Sequence, residues 1–168
     1  MTTGTTTDVA DLAATARAAA ASVLDPELPV LTIDALGILR DVTVDDDGAV
    51  VVTITPSYSG CPAMDAIRTD VIAAVRAVGV ERVEVVTVLA PAWTTDWISA
   101  EGRDALLRYG IAPPGAARGN SAVALILSVR CPQCGSLRTS ELSRFGSTAC
   151  KSMWRCGDLR TVASRSIT

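Results

Sequence analysis

Five cysteines and no histidine define the chemistry open to this chain. Cys61 stands alone, between the turn-prone Ser57-Tyr58-Ser59-Gly60 and Pro62, while Cys131, Cys134, Cys150 and Cys156 gather toward the C-terminus. Pro62 has the fixed φ and missing N–H that suit the first position of a helix, which makes Cys61 the expected N-cap. A thiol there meets free N–H groups and the positive end of the helix dipole. Both favour the thiolate, the form that binds metals and attacks electrophiles. The bland alternative is a small apolar residue in a turn. Asp25 and Glu27, in the loop Asp25-Pro26-Glu27-Leu28-Pro29-Val30, are the other candidates for chemistry. On the residues alone the first reading of them is structural, Asp25 bonding turn amides and Glu27 solvated.

Cys131-Pro132-Gln133-Cys134-Gly135 has the C-x2-C-G form of a zinc knuckle, in which two thiolates chelate one metal from a tight bend that glycine permits. Cys150 and Cys156 complete a four-cysteine set for zinc or iron, but the second knuckle is missing. Cys156 is followed by Gly157-Asp158-Leu159, with leucine where a paired knuckle has cysteine. Cys150 is the fourth ligand only if the ribbon folds it inward, and Asp158 offers an oxygen instead. Five cysteines in this distribution suit metal or thiol chemistry in a reducing compartment better than a disulfide framework.

The lack of histidine excludes Ser-His-Asp and Cys-His catalysis, His-ligated zinc hydrolysis and Glu-x-x-His di-iron bundles. The net charge of −3 hides an asymmetry. From Arg130 onward there are seven basic and two acidic residues, a balance of +5, and before it eight basic and sixteen acidic, a balance of −8. That division favours two differently charged parts over one uniform domain. No uninterrupted apolar stretch is long enough to span a bilayer, and the N-terminus, with Asp8 and Asp11, lacks the basic and apolar regions of a signal peptide. The expected location is cytoplasmic.

The elements that must position these residues are partly legible. After a leader at 1–7, Val9, Leu12, Ala13, Ala16, Ala20 and Val23 form one face of an Ala-rich helix, capped by Asp8 and ended at Asp25-Pro26. The spacing predicts strands at 36–44 and 50–55 joined by an Asp45-Asp46-Asp47-Gly48 hairpin turn. A helix after Cys61 buries Met64, Ile67, Val71, Ile72, Val75 and Val78, Gly79 ends it, and a strand follows at 81–89. Helix, strand, strand, helix, strand implies an α+β fold, helices packed on a small mixed sheet. Asp96 or Thr95 caps a further helix with Ile98, Leu106 and Leu107, and Trp93 and Trp97 make either a packed corner or a partner surface. The expected organisation is a domain over 8–110, a linker over 111–121, and a small zinc-ribbon-like module over 122–168 with an entry strand at 122–129 and ribbon strands at 139–145 and 151–156.

Taken together, the Asp-Pro-Glu loop, Leu36-Gly37-Ile38-Leu39-Arg40-Asp41-Val42, Thr55-Pro56-Ser57-Tyr58-Ser59-Gly60-Cys61-Pro62-Ala63-Met64, Pro91-Ala92-Trp93-Thr94-Thr95-Asp96-Trp97-Ile98 and Phe145-Gly146-Ser147-Thr148-Ala149-Cys150-Lys151 resemble the PaaD family over almost the whole chain. PaaD proteins are D subunits of phenylacetyl-CoA epoxidase systems, and the N-terminal part alone is similar to the broader SufT-like iron-sulfur maturation family. The resemblance implies a non-catalytic accessory in aerobic phenylacetate degradation that matures or repairs an iron or iron-sulfur centre of a multicomponent monooxygenase. It implies a transient iron or cluster ligand at Cys61 with Asp25 and Glu27 near it, and a metal-binding module at Cys131, Cys134, Cys150 and Cys156, from which Leu159 departs. The partners it implies are proteins of the epoxidase system, such as its reductase. One thiolate per chain is a poor permanent cluster site, which suits transfer and suggests a homodimer. The alternative is a zinc-ribbon-like adaptor whose basic surface meets a partner protein or nucleic acid without metal transfer. The ribbon's aromatics are few for nucleic acid, Phe145 and Trp154. A thiol enzyme ranks last, because Cys61 has no histidine base and no C-x-x-C partner.

Overall fold

The structure, a computed structural model, describes residues 6–58, 60–114, 129–148, 150–159 and 162–167. The leader residues 1–5, Ser59, Ala149, most of the expected linker at 115–121 and the expected strand at 122–128 lie outside the described residues. The chain divides into two compact units, Met1–Trp93 and Thr94–Thr168.

In the first unit, α1 (Thr6–Ala21) turns Ala16 and Ala20 inward, both fully buried. Strands β1 (Leu39–Val44) and β2 (Val50–Ile54) pair antiparallel around the four-residue turn read from the sequence. Asp45 holds that turn, its Oδ1 accepting the N–H groups of Asp47 at 3.0 Å and Ala49 at 2.7 Å. Strand β3 (Val83–Thr87) then runs parallel to β2, which gives a mixed sheet of order β1-β2-β3. The crossover between β2 and β3 is α2 (Ala63–Ala77), which buries Ala63, Ile67, Val71 and Val75 along one i,i+4 stripe. Val78, expected in that stripe, lies beyond the last turn and is exposed, as helix and stripe end together. Arg68 fixes α2 against β3 by donating to the Val85 carbonyl and, at 3.0 Å, to Thr87 Oγ1.

In the second unit, a 3-10 turn (Thr95–Trp97) precedes α3 (Ala100–Arg108). The cap of α3 is Ser99, whose Oγ accepts the Gly102 N–H at 3.0 Å, and not Asp96 or Thr95. Ile98 is extended between turn and helix, so the expected single helix is broken there. Strand β4 (Ile111–Ala112) forms where a linker was expected, because Ile111 and Ala112 find a parallel partner in β7 (Val162–Ile167), a strand the sequence pattern did not announce. With β5 (Thr139–Ser143) and β6 (Lys151–Cys156) they make a sheet of order β4-β7-β6-β5. Ala112, Val129 and Trp154 form a small core cluster in this unit. Among the described residues no helix is long and apolar enough to cross a membrane.

Candidate functional site

Two sets of sulfur-bearing residues emerge, one in each unit. In the first, β2 ends at Thr55-Pro56 and the loop returns to α2 through Gly60, whose φ of +90° is the left-handed backbone that glycine adopts without strain. Cys61 follows, half-buried, but the N-cap of α2 is Pro62. The thiol still reaches the helix end, since its sulfur accepts the Ala63 N–H as well as a hydrogen bond from the Tyr58 side chain.

The loop that carries the carboxylates is closely built. Asp25 is buried, and its Oδ1 accepts the N–H groups of Glu27 at 2.9 Å and Leu28 at 2.7 Å, while its own N–H donates to the Leu31 carbonyl at 2.9 Å. Leu28, Leu31 and Ile33 are buried beside it and hold the loop down. Asp25 is thus a turn cap, and at the same time its charge and that of Glu27 act on the Cys61 thiol. Burial pushes that thiol up from the ordinary cysteine value, and the Glu27 and Asp25 carboxylates push it further. The Ala63 N–H and Tyr58 oppose the rise without overcoming it. This reverses the expectation of a thiolate favoured by the helix end. The N–H at the helix end acts as supposed, but desolvation and two carboxylates from a distant loop outweigh it. Tyr58 was missed as a contributor, and its place three residues before Cys61 in the same loop was the available signal.

In the second unit the Cys131 knuckle forms as read. The Gly135 N–H donates to the Cys131 carbonyl and the Cys131 N–H to the Ser136 carbonyl, each at 2.9 Å, and Gly135 takes a φ of +73°. Across the ribbon, β6 delivers Cys156. The sulfurs of Cys131, Cys134 and Cys156 lie within 4.8 Å of one another, with Cys134 and Cys156 3.6 Å apart. Backbone N–H groups surround them: Ser136 donates to the Cys134 sulfur, and Leu159 and Asp158 donate to that of Cys156. The Leu159 N–H, with that of Asp158 and the neighbouring thiols, draws the Cys156 thiol below the ordinary value against its desolvation. For Cys134 the Ser136 N–H acts the same way, but desolvation and the Cys156 and Cys131 sulfurs raise it on balance. Three convergent sulfurs amid amide donors are a donor set for a soft or borderline metal ion. Cys150 is not part of this group. It is buried on β6's approach with its sulfur 3.2 Å from the Thr148 hydroxyl. The Asp158 carboxylate is 2.9 Å from Arg138 in an ion pair.

The two units match two families in chain order. Residues 13–88 match the family described as iron-sulfur cluster assembly protein, and residues 117–161 match the PaaD zinc beta ribbon domain. A protein of Escherichia coli (strain K12) named as the D subunit of 1,2-phenylacetyl-CoA epoxidase is 47% identical over 137 residues, 81% of each chain. An Fe-S protein maturation auxiliary factor of Porphyromonas gingivalis is 41% identical over 90 residues, 53% of this chain and 82% of that one. Among solved structures, a domain of unknown function, DUF59, from Bacillus anthracis matches with a TM-score of 0.55 at 30% identity, covering 60% of this chain and 95% of that chain. With a relative this similar over most of both chains and both domains matched in order, the chain belongs to the PaaD family of phenylacetyl-CoA epoxidase D subunits.

Proposed function

We propose that the chain is a non-catalytic accessory of a cytoplasmic phenylacetyl-CoA epoxidase system, in which it matures or repairs an iron or iron-sulfur centre of the multicomponent monooxygenase. The observation that carries this is the half-buried Cys61 thiol at the end of the Gly60 turn, set in the electrostatic field of the Glu27 and Asp25 carboxylates. In the absence of a cation, burial first and the two carboxylates after it favour the proton on sulfur. A cation entering the site reverses that preference, because two negative charges that oppose a thiolate attract a metal, which takes the proton's place. Asp25 is held by two backbone N–H groups, so the carboxylate geometry is set before the cargo arrives. A single thiolate per chain holds iron less firmly than a full thiolate set, which fits an ion or cluster that is to be handed on. A second copy of the chain would bring a second Cys61 for a cluster, and the recipient would be a protein of the epoxidase system, such as its reductase.

The test is the iron, acid-labile sulfide and zinc content of the full chain purified without oxygen, beside a Cys61→Ala variant, with growth on phenylacetate of a strain carrying only that variant. Iron and sulfide that disappear with Cys61 while zinc stays, together with impaired growth, are expected. Iron retained by the variant, or unimpaired growth, overturns the proposal.

A further inference from the structure

We propose that the C-terminal module holds its metal ion through three thiolates, Cys131, Cys134 and Cys156, and leaves the fourth coordination position to an exchangeable outside ligand. None of this depends on Cys61. A tetrahedral zinc ion with Zn–S bonds of about 2.3 Å sets its sulfurs roughly 3.8 Å apart. The 3.6 Å between Cys134 and Cys156, and the convergence of all three sulfurs within 4.8 Å, already match that spacing. The donor set therefore fits the zinc that the ribbon family's name implies.

Among the described residues, a fourth ligand is what this group lacks. The turn at 156–159 is built as a knuckle: the Asp158 and Leu159 N–H groups point at the Cys156 sulfur, and the Gly157 N–H ties the turn to the Arg138 carbonyl at 2.7 Å. The side chain at its last position is Leu159, 38% exposed, so the backbone of the second knuckle is present without its second thiol. The two substitutes available in the sequence have other contacts. Cys150 stands outside the group beside Thr148, and Asp158 pairs with Arg138. Structural zinc sites are closed by four protein ligands, whereas a site with three keeps a position for water or another small ligand. Cys134 is exposed, so solvent reaches the cluster from that side. The outside ligand is monodentate: water in the isolated protein, and a soft thiolate when one is offered.

The experiment uses the full chain in a Cys61→Ala background, reduced, freed of metal and titrated with cobalt(II) without oxygen. The sulfur-to-cobalt charge-transfer band counts thiolates. A three-thiolate intensity is expected, unchanged by Cys150→Ser and diminished by Cys156→Ser. Adding 2-mercaptoethanol should raise the band saturably by about a third, the step from three sulfurs to four. Leu159→Cys should raise it by the same amount unaided and remove the response to the added thiol. A four-thiolate spectrum in the parent that falls on Cys150→Ser overturns the proposal, as does failure of the folded, reduced parent to bind cobalt. Should Leu159→Cys fail to fold, the thiol titration of the parent decides by itself.

Discussion

Burial is the first cause of the raised Cys61 thiol, and the largest single charge effect on it, one that a substitution can remove, is that of Glu27. Because a neighbouring negative charge raises a thiol's pKa, Glu27→Gln should lower it. The pH profile of Cys61 alkylation then moves to lower pH, and labelling at neutral pH accelerates several-fold. An unmoved profile would show that the carboxylate and the sulfur are screened from each other. At the base of the same loop, Thr55 Oγ1 is buried with no hydrogen-bond partner among the described residues. An orphaned hydroxyl costs stability, so Thr55→Val, nearly isosteric, should raise the unfolding free energy by about 1 kcal/mol in a denaturant titration. A loss of stability would show that the hydroxyl has a partner in solution. The types and spacing of Cys61, Asp25, Glu27, Cys131, Cys134 and Cys156 were legible in the sequence. The sign of the Cys61 shift was not, since it depends on how closely a loop far away in the chain approaches and on how deeply the sulfur is buried.

Helix α2 is the element that makes the Cys61 turn rigid. Its stripe Ala63, Ile67, Val71 and Val75 is set against the sheet, and Ile67 is fully buried one turn into it. Ile67→Ala removes three buried carbons and leaves a cavity, a change that should cost about 2–5 kcal/mol. The midpoint of chemical unfolding, followed by far-ultraviolet circular dichroism, measures it. A cost below that range would mean that the helix relaxes onto the sheet, and Cys61 with it. This helix and the β1–β2 hairpin were readable because a local pattern encodes them, one period for the stripe and one turn chemistry for the Asp45 corner. Ser99 and the β4–β7 pair were not. Ser99 lies inside what reads as one continuous apolar-spaced helix, and the two-residue strand Ile111–Ala112 has no period at all and exists only through its partner far along the chain. The knuckle at Cys131 was legible from its spacing, whereas the completeness of the turn at 156–159 without a second cysteine required the backbone to be seen.

For the whole molecule, the excess of positive charge after Arg130 poses the choice between a metal-handling accessory and an adaptor for a polyanion. Formal charge is not the same as an available basic surface. Arg138 is 2.9 Å from Asp158, and Arg144 is 3.6 Å from Glu141. Lys151 is buried, and Arg130 donates to the Gly135 carbonyl at 2.7 Å. Arg155 is exposed on β6, but Phe145, the large exposed aromatic near it in sequence, is too little for stacking successive bases. Nucleic-acid affinity built on phosphate contacts falls with salt at a slope of about −0.9 per phosphate neutralised, so several available cations would give a steep decline. With most of the cations among the described side chains already engaged, binding of the full, metal-loaded chain to random double-stranded DNA should be weak at low salt and its salt dependence shallow. Fluorescence anisotropy with a labelled duplex across a salt series measures both. Tight binding with a slope of several units would mean that these ion pairs open to phosphate, and would favour the adaptor over the assembly accessory.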